Sequence, residues 1–308
     1  MCQGPPKNEE LARHLASSVS LTCPDEDLHY TLYVFPFSLY SIMVRFTISL
    51  GSHYHRGPGG LPNITHKLVN LHRDENLEEW YLTTVNPKGQ VPAMFGQRSD
   101  QPFIAKVTES LKISNLFCSL YFPGMMPDEH RATIEDLLDK LHAIQAFSLT
   151  VKDPAEEYKV EIRDQKLDEL LKSKDISETY RRALEYKEIY YKRTLAYALR
   201  PENIAKAKSQ ANELFQQLLV IYDKHHSPGN DNAGQWLFGA STGPTVLDAH
   251  ATAFIARLDD AGWQDLVPGA LLSYAREKLE LPSWKDVCHG RKTIWNISYG
   301  HVDLLGDF

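Results

Sequence analysis

The hydrophobic rhythm of the chain changes near residue 122. Before that point short apolar runs alternate with single helical stretches; after it apolar residues recur at three- and four-residue spacing. His29 to Phe35 alternates β-prone residues and predicts a strand closed by Pro36. Ser41 to Leu50 predicts a helix, and Ser52 to Asn63, with its Gly, Pro and His, a loop. His66 to Leu71 predicts a second strand, set parallel to the first by the intervening helix. Glu75 to Thr84 reads as a short helix. Val91 to Phe95 and Phe103 to Val107 read as a hairpin around polar Gly96 to Gln101. Ser110 to Leu120 is helical, with Leu111, Ile113, Leu116 and Phe117 on its apolar side. This order, β-α-β, short helix, β-β-α, is that of a thioredoxin-like domain.

Phe122 to Pro127 predicts a linker, beyond which the pattern is all-helical. Helices are expected over Asp128 to Leu149, Pro201 to His226, Thr245 to Ala261, Pro268 to Leu279 and Trp284 to Asn296. Glu156 to Leu199 is charged, carries Tyr180, Tyr186, Tyr190, Tyr191 and Tyr197, and predicts further helices. Its tyrosines are expected to pack or face solvent rather than line a substrate cavity. The expected division is α/β plus all-α: an N-terminal flexible arm over 1–27 with one short helix around Glu9 to Leu15, a thioredoxin-like domain over 28–123, and a helical domain over 124–308.

The most informative stretch is Val85-Asn86-Pro87-Lys88-Gly89-Gln90-Val91-Pro92-Ala93-Met94-Phe95, followed closely by Thr108-Glu109-Ser110. Proline in an apolar run cannot donate a ladder hydrogen bond, so Pro92 belongs at the first residue or edge of a strand. A cis Val91–Pro92 bond would turn the Val91 N–H and C=O outward. An extended peptide could then pair there like an added strand. The carboxylate of Glu109 and the hydroxyl of Ser110, opening a helix, would hold its far end. The two pieces describe a small-peptide site.

Asn-Pro-x-Gly-x-Val-Pro followed by Glu-Ser resembles the glutathione-binding half of the glutathione S-transferase superfamily. Gly243-Pro244-Thr245-Val246-Leu247-Asp248-Ala249 is similar to the Ser/Thr-x-x-Asp box of that family's helical domain. Physically the box is a helix cap, with Thr245 accepting from the backbone near Asp248, so Asp248 is expected to be structural. The resemblance covers about residues 28–123 and 201–282, leaving an extra helical insertion over about 152–200. It implies glutathione as co-substrate or recycled cofactor, and no metal. It further implies that Val91, beside Pro92, pairs with the cysteinyl part and that Glu109 accepts from the γ-glutamyl ammonium. Ser110 would donate to the adjoining carboxylate at a helix N-terminus, while Lys88, Gln90 and His72 are candidates for the glycyl carboxylate.

A free thiol has a pKa of ~8.5, so lowering it by about two units requires ~2.7 kcal/mol of preferential thiolate stabilisation. In serine-type members a hydroxyl after the first strand does this. Ser38 matches that position, with Tyr40 and Ser41 as rival hydroxyls, and a plain helix cap remains an open reading of Ser38. No cysteine lies in this loop, which argues against reductase chemistry. Tyr121, Phe122, Met125 and Met126, with the helix around Leu137 to Leu141, are candidates for the apolar wall of the second-substrate site. The insertion and arm resemble transferase-like tailoring enzymes of fungal secondary-metabolite pathways. These add the thiolate to an electrophilic, hydrophobic small molecule, either in conjugation or in reversible addition that isomerises a double bond between trans and cis. A non-catalytic binding or interaction module is the alternative. Members commonly form homodimers.

Composition narrows the partners. A net charge of -7 with mixed signs and no basic stripe argues against general nucleic-acid binding. No apolar run reaches ~18 residues, so no membrane span is expected. The polar start with Pro5 and Pro6 is unlike a signal peptide, and Cys2, Cys23, Cys118 and Cys288 form no CxxC pattern. A reducing, cytoplasmic location is the expectation, and the sequons at Asn63 and Asn296 are read as chance. His53, His55, His225 and His226 lack ligand spacing and read as loop histidines. The tail Trp295 to Tyr299 is a candidate cover for the cavity.

Overall fold

The structure, a computed structural model, describes residues 28–55, 57, 60–98, 105–226 and 235–306. The expected N-terminal arm, its short helix and the Phe103 start of the hairpin lie outside the described residues. Four strands form one sheet in the order β2-β1-β3-β4: β1 (Leu28–Val34), β2 (Asn63–Leu68), β3 (Ala93–Arg98) and β4 (Ala105–Val107). β1 pairs parallel to β2, with Leu32 opposite His66, and antiparallel to β3, with Thr31 opposite Phe95. β3 and β4 are antiparallel, with Met94 opposite Val107.

β1 is the central strand, and its side chains alternate between two cores. Tyr30, Leu32 and Val34 enter the large core shared with the helical domain, whereas Tyr33 and the following Phe35 and Phe37 enter a second cluster. Helix α1 (Leu39–Tyr54) starts earlier than its apolar spacing suggests, because Ser38 is extended and caps it by accepting from the Ser41 N–H. Gly51 sits inside this helix because an added Cβ would lie 2.4 Å from the Phe122 ring. The linker therefore packs inward, with Phe122 and Met125 fully buried, instead of running over the surface. In place of the short helix expected over residues 75–84 there are two 3-10 turns, Leu71–Arg73 and Glu75–Leu77, and a π turn, Tyr81–Val85. Glu78, extended at ψ 150°, interrupts any continuous helix there.

α2 (Ser110–Leu120) closes the first domain, and α3 (Arg131–Ala143) opens the second. α3 ends before the expected Leu149 because Ile144 turns extended and a 3-10 turn, Ala146–Leu149, follows. The insertion holds α4 (Glu156–Val160), α5 (Gln165–Lys172) and α6 (Glu178–Thr194). Then come α7 (Pro201–His226), α8 (Val246–Asp260), α9 (Gly269–Leu279) and α10 (Pro282–Cys288). α8 is buried on all sides from Val246 to Leu258, and its buried polar residues Asp248, His250 and Arg257 are hydrogen-bonded. Its start carries the full capping box between Thr245 and Asp248. α10 stops well short of Asn296, since His289 and Gly290 both take positive φ and reverse the chain.

Two segments return to the thioredoxin-like domain. α6 docks Tyr180 and Leu184 with Leu167 of α5 against Leu77 and Leu82. The C-terminal tail buries Val302 in the second cluster with Phe35, Phe37, Val85 and Val91, and stacks Trp295 on Phe37 at 4.9 Å. No helix among the described residues is long and apolar enough to cross a membrane.

Candidate functional site

The loop before β3 is fixed by its own side chains. Asn86 donates Nδ2–H to the Gln90 carbonyl (2.8 Å) and accepts from the Lys88 N–H (3.0 Å), while Tyr81 OH also donates to the Gln90 carbonyl (2.8 Å). Gly89, at φ 57°, closes the turn. The Val91–Pro92 bond is cis, and the β3 ladder begins only at Ala93, so Val91 stands outside it.

Glu109 occupies the cap position of α2 but makes no side-chain cap bond. Its carboxylate instead accepts from the Lys88 ammonium, joining the turn to the helix start, with Ser110 buried beside it. Burial works against the Lys88 charge, but the hydrogen bond and charge of Glu109 outweigh it and hold the ammonium above its ordinary pKa. The insertion completes this cluster. Lys187 of α6 donates to the Lys88 carbonyl at 2.8 Å, and Tyr190 OH donates to Gln90 Oε1 at 2.9 Å. The Lys88 ammonium lies 5.5 Å from the centre of the Tyr190 ring. Burial lowers the Lys187 pKa to about 8.

Ser38 caps α1 next to this cluster, accepting from the Ser41 N–H at 3.5 Å. The Ser41 hydroxyl is buried without a hydrogen-bond partner among the described residues. Burial, reinforced by Tyr190 and Glu109 and opposed by Arg257, pushes the Tyr40 phenol up to about 12, so it stays protonated at neutral pH. Arg257 of α8 reaches across from the helical domain and donates to the Phe37 carbonyl (2.7 Å) and the Thr293 carbonyl (2.8 Å). It fastens the loop that presents Ser38.

His72 lies in the 3-10 turn Leu71–Arg73. Its ring meets the edge of Phe35 at 4.9 Å, and its Nδ1 is buried without a partner among the described residues. Burial, then the charge of His301 in the tail, lowers its pKa. Tyr121, Phe122, Met125 and Met126 are core residues here, with Tyr121 OH donating to Tyr30 OH at 3.3 Å. All four are buried, and the Phe122 ring packs on Gly51 of α1. Leu137, Leu138 and Leu141 of α3 are buried in the same core.

A second helical-domain residue that reaches the hydroxyl loop is His142 at the end of α3, whose ring stacks on Tyr40 at 5.7 Å. Its Nε2 lies 2.8 Å from His250 Nδ1 on α8, and His250 Nε2 lies 2.9 Å from Ser114 Oγ on α2. Burial lowers the His142 pKa to about 4 against opposing pulls from Asp139 and Glu109. Burial also holds His250 well below its ordinary value. Tyr40, which stacks on His142 and feels the charges of Tyr190 and Glu109, thus ties the loop after β1 to the cluster of Lys88, Gln90, Glu109 and Ser110.

No family model matches the chain, and no curated protein matches it. Among solved structures, glutathione transferase F2 from Populus trichocarpa is similar over 86% of this chain and 100% of its own, at 16% identity and a TM-score of 0.51. Beta-etherase LigF from Sphingobium sp. strain SYK-6 is similar over 84% of this chain and 98% of its own, at 17% identity and a TM-score of 0.51. The fold is that of the glutathione S-transferases. Its two parts, the thioredoxin-like sheet domain and the helical domain, are those expected from the sequence order.

On this transferase fold, Lys187, Tyr190, Arg257 and His142 are the cleft residues that sequence reasoning missed. The tyrosine-rich composition of α6 was the available signal, but nothing in it says which domain the helix faces. The expected structural role of Asp248 is what the contacts give, since its carboxylate accepts from Leu237 N, Thr245 N and Tyr274 OH. A separate open cleft of about 980 Å³ lies between the insertion and Asp74, lined by Glu157, Glu161, Asp164 and Lys166. It is far in character from thiol chemistry, being lined by acidic and basic groups. His55 turns its Nε2 to the Pro244 carbonyl at 2.8 Å, and no cluster of three metal-ligating side chains occurs among the described residues.

Proposed function

We propose that this chain is a glutathione-dependent enzyme that adds the glutathione thiolate to an electrophilic, hydrophobic small molecule. The observation that carries the reading is the Lys88–Glu109 contact, in which the protein's own ammonium stands where a γ-glutamyl ammonium would be held. Ser110, at the N-terminus of α2, suits the adjoining carboxylate, and Val91, outside the β3 ladder, suits a cysteinyl backbone. The transferase fold supports the same assignment. Glutathione supplies the nucleophilic sulfur. Ser38 would donate its hydroxyl to that sulfur, with the first turn of α1 adding a favourable field. Lys88 would leave Glu109 as the incoming ammonium replaces it, and with Gln90 would turn to the glycyl carboxylate. His72 would assist only from the far side of Phe35.

The acceptor is read as a conjugated alkene, consistent with the resemblance to secondary-metabolite enzymes, and the product as a conjugate or a trans/cis isomer. Tyr121, Phe122, Met125 and Met126 would line its site only after the core around the linker opens. A cytoplasmic homodimer is the proposed working form, and sedimentation equilibrium giving one chain's mass would refute the dimer. The test of the whole reading is calorimetric titration with glutathione, wild type against Glu109→Ala. Binding by wild type and its loss in the variant are expected. Silence from the wild type would overturn the reading.

A second reading, a binding module without turnover, has one observation in its favour: Glu109 and Gln90 are already engaged by Lys88 and Tyr190. Ser38→Ala separates the two. An enzyme keeps glutathione affinity and loses turnover, whereas a module has no turnover to lose.

A further inference from the structure

The buried pair of rings behind Tyr40 has a determined polarity. Ser114 is fully buried in the middle of α2, and a buried hydroxyl hydrogen must find an acceptor. Among the described residues the acceptor in contact with Ser114 Oγ is His250 Nε2, at 2.9 Å. Ser114 therefore donates, and the proton of neutral His250 sits on Nδ1. That nitrogen faces His142 Nε2 at 2.8 Å, so His142 accepts there and its own proton sits on Nδ1. Burial keeps both rings neutral at physiological pH, which fixes one proton to each ring. His142 is half-buried, and its Nδ1 is neither paired nor sealed from solvent among the described residues. The chain of donors starts at Ser114 and ends as an N–H on the His142 ring, which stacks on Tyr40.

We propose that His142 donates a hydrogen bond from Nδ1–H to the activating oxygen of a carbonyl-conjugated acceptor, with His250 and Ser114 as positioning residues that fix its tautomer. This rests on the glutathione-addition reading above. The thiol proton is lost to solvent before attack. As the thiolate's electron pair forms the S–C bond, the pair of the C=C bond moves toward the carbonyl oxygen, giving an enolate. For a released conjugate the enolate takes a proton from solvent at its α-carbon; for isomerisation the pair returns and the S–C bond breaks. The ring moves no proton in either case; it stabilises charge gathering on that oxygen. A neutral imidazole suits this task, because its N–H is held ready and gives up no proton. The groups facing His142 are Tyr40, Glu109 and Asp139 besides His250. Glu109 and Asp139 offer acceptors only, so the donors for an oxygen at this place are the His142 N–H and the neighbouring Tyr40 hydroxyl.

The test has a spectroscopic arm and a kinetic arm, both on the full chain. With 15N-histidine labelling, both His142 and His250 are expected to carry their protons on Nδ1, the less common tautomer of free histidine. Ser114→Ala is expected to release the lock, so that both rings report averaged nitrogens. Kinetically, trans-4-phenyl-3-buten-2-one offers a carbonyl oxygen, whereas benzyl chloride offers none and expels chloride. His142→Phe keeps a ring against Tyr40 and is expected to lower kcat/KM for the enone about tenfold or more, with benzyl chloride and glutathione affinity unchanged. His142→Gln, which retains a donor, should recover part of the loss. A proton found on His142 Nε2 overturns the proposal whatever the rates. So does an enone rate unchanged in His142→Phe, or one that falls equally with benzyl chloride. A wild type inert to both probes overturns the addition reading itself, and this role with it.

Discussion

Removing the Asp248 carboxylate should unfold a measurable share of the molecule without touching its chemistry. Asp248 is fully buried and accepts from Thr245 N (2.7 Å), Thr245 Oγ1 (2.5 Å), Leu237 N (2.8 Å) and Tyr274 OH (2.5 Å). In Asp248→Ala all of these donors lose their acceptor inside the core. Each buried unsatisfied donor costs about 1–3 kcal/mol, but the hydroxyls of Thr245 and Tyr274 can rotate, so the full cost falls on the two backbone N–H groups. At about 2 kcal/mol for each of these two groups the net loss is about 4 kcal/mol. For 308 residues at about 2.1 cal/mol/K per residue, that corresponds to a fall in Tm of about 6 °C. Asp248→Asn keeps the volume and one acceptor oxygen and should lose about half as much. Urea unfolding followed by tryptophan fluorescence is the assay, with buried Trp236 and Trp263 as reporters. A loss under about 1 kcal/mol for the alanine variant, or an asparagine variant as damaged as it, would refute the capping account. Activity per folded molecule should be unchanged in both.

Three further outcomes follow from the insertion and its docking. Lys187 is neutral in the fold above pH about 8 while its unfolded form stays charged to about 10.5, so the unfolded state binds more protons in that window and stability rises with pH across it. Lys187→Met should remove that rise, worth about 3 kcal/mol, in urea midpoints taken at pH 7.5 and 10. Gly89→Ala should cost about 2 kcal/mol, since φ is 57° and the new Cβ would stand 3.0 Å from the Asn76 carbonyl oxygen and 3.1 Å from Lys187 Cε; the same urea assay reads it. Tyr190→Phe removes one hydrogen bond, about 1 kcal/mol, and should speed amide exchange in residues 178–194 about fivefold.

Much of the fold was legible because its signals are local. Alternation in β1, the cis-proline turn at Pro92, the Glu109-Ser110 helix start and the Thr245–Asp248 box each lie within a few residues of chain. The misplaced ends have local causes as well: Ser38 caps earlier than the apolar spacing suggests, and His289 and Gly290 end α10 through positive φ. What the sequence hides is which distant side chains meet. His142, His250 and Ser114 come from three helices, and no spacing relates them. Lys187 addresses backbone carbonyls, which leave no trace in side-chain composition. Tyr121 to Met126 are ambiguous for the opposite reason. Apolar residues at a linker suit a cavity wall and a core equally, and their spacing does not show that Tyr121, Phe122, Met125 and Met126 are all buried here.

Val302, which seals the second cluster beside Phe35, Phe37 and Val91, has a consequence for the ribosome. The sheet domain is made first, yet a piece of its interior is encoded beyond the whole helical domain. During synthesis the strands can pair, but that apolar face stays uncovered until the segment around Val302 has left the exit tunnel. The nascent first domain therefore waits for the rest of the protein, and a chain halted anywhere before Trp295 displays this surface to chaperones and proteases.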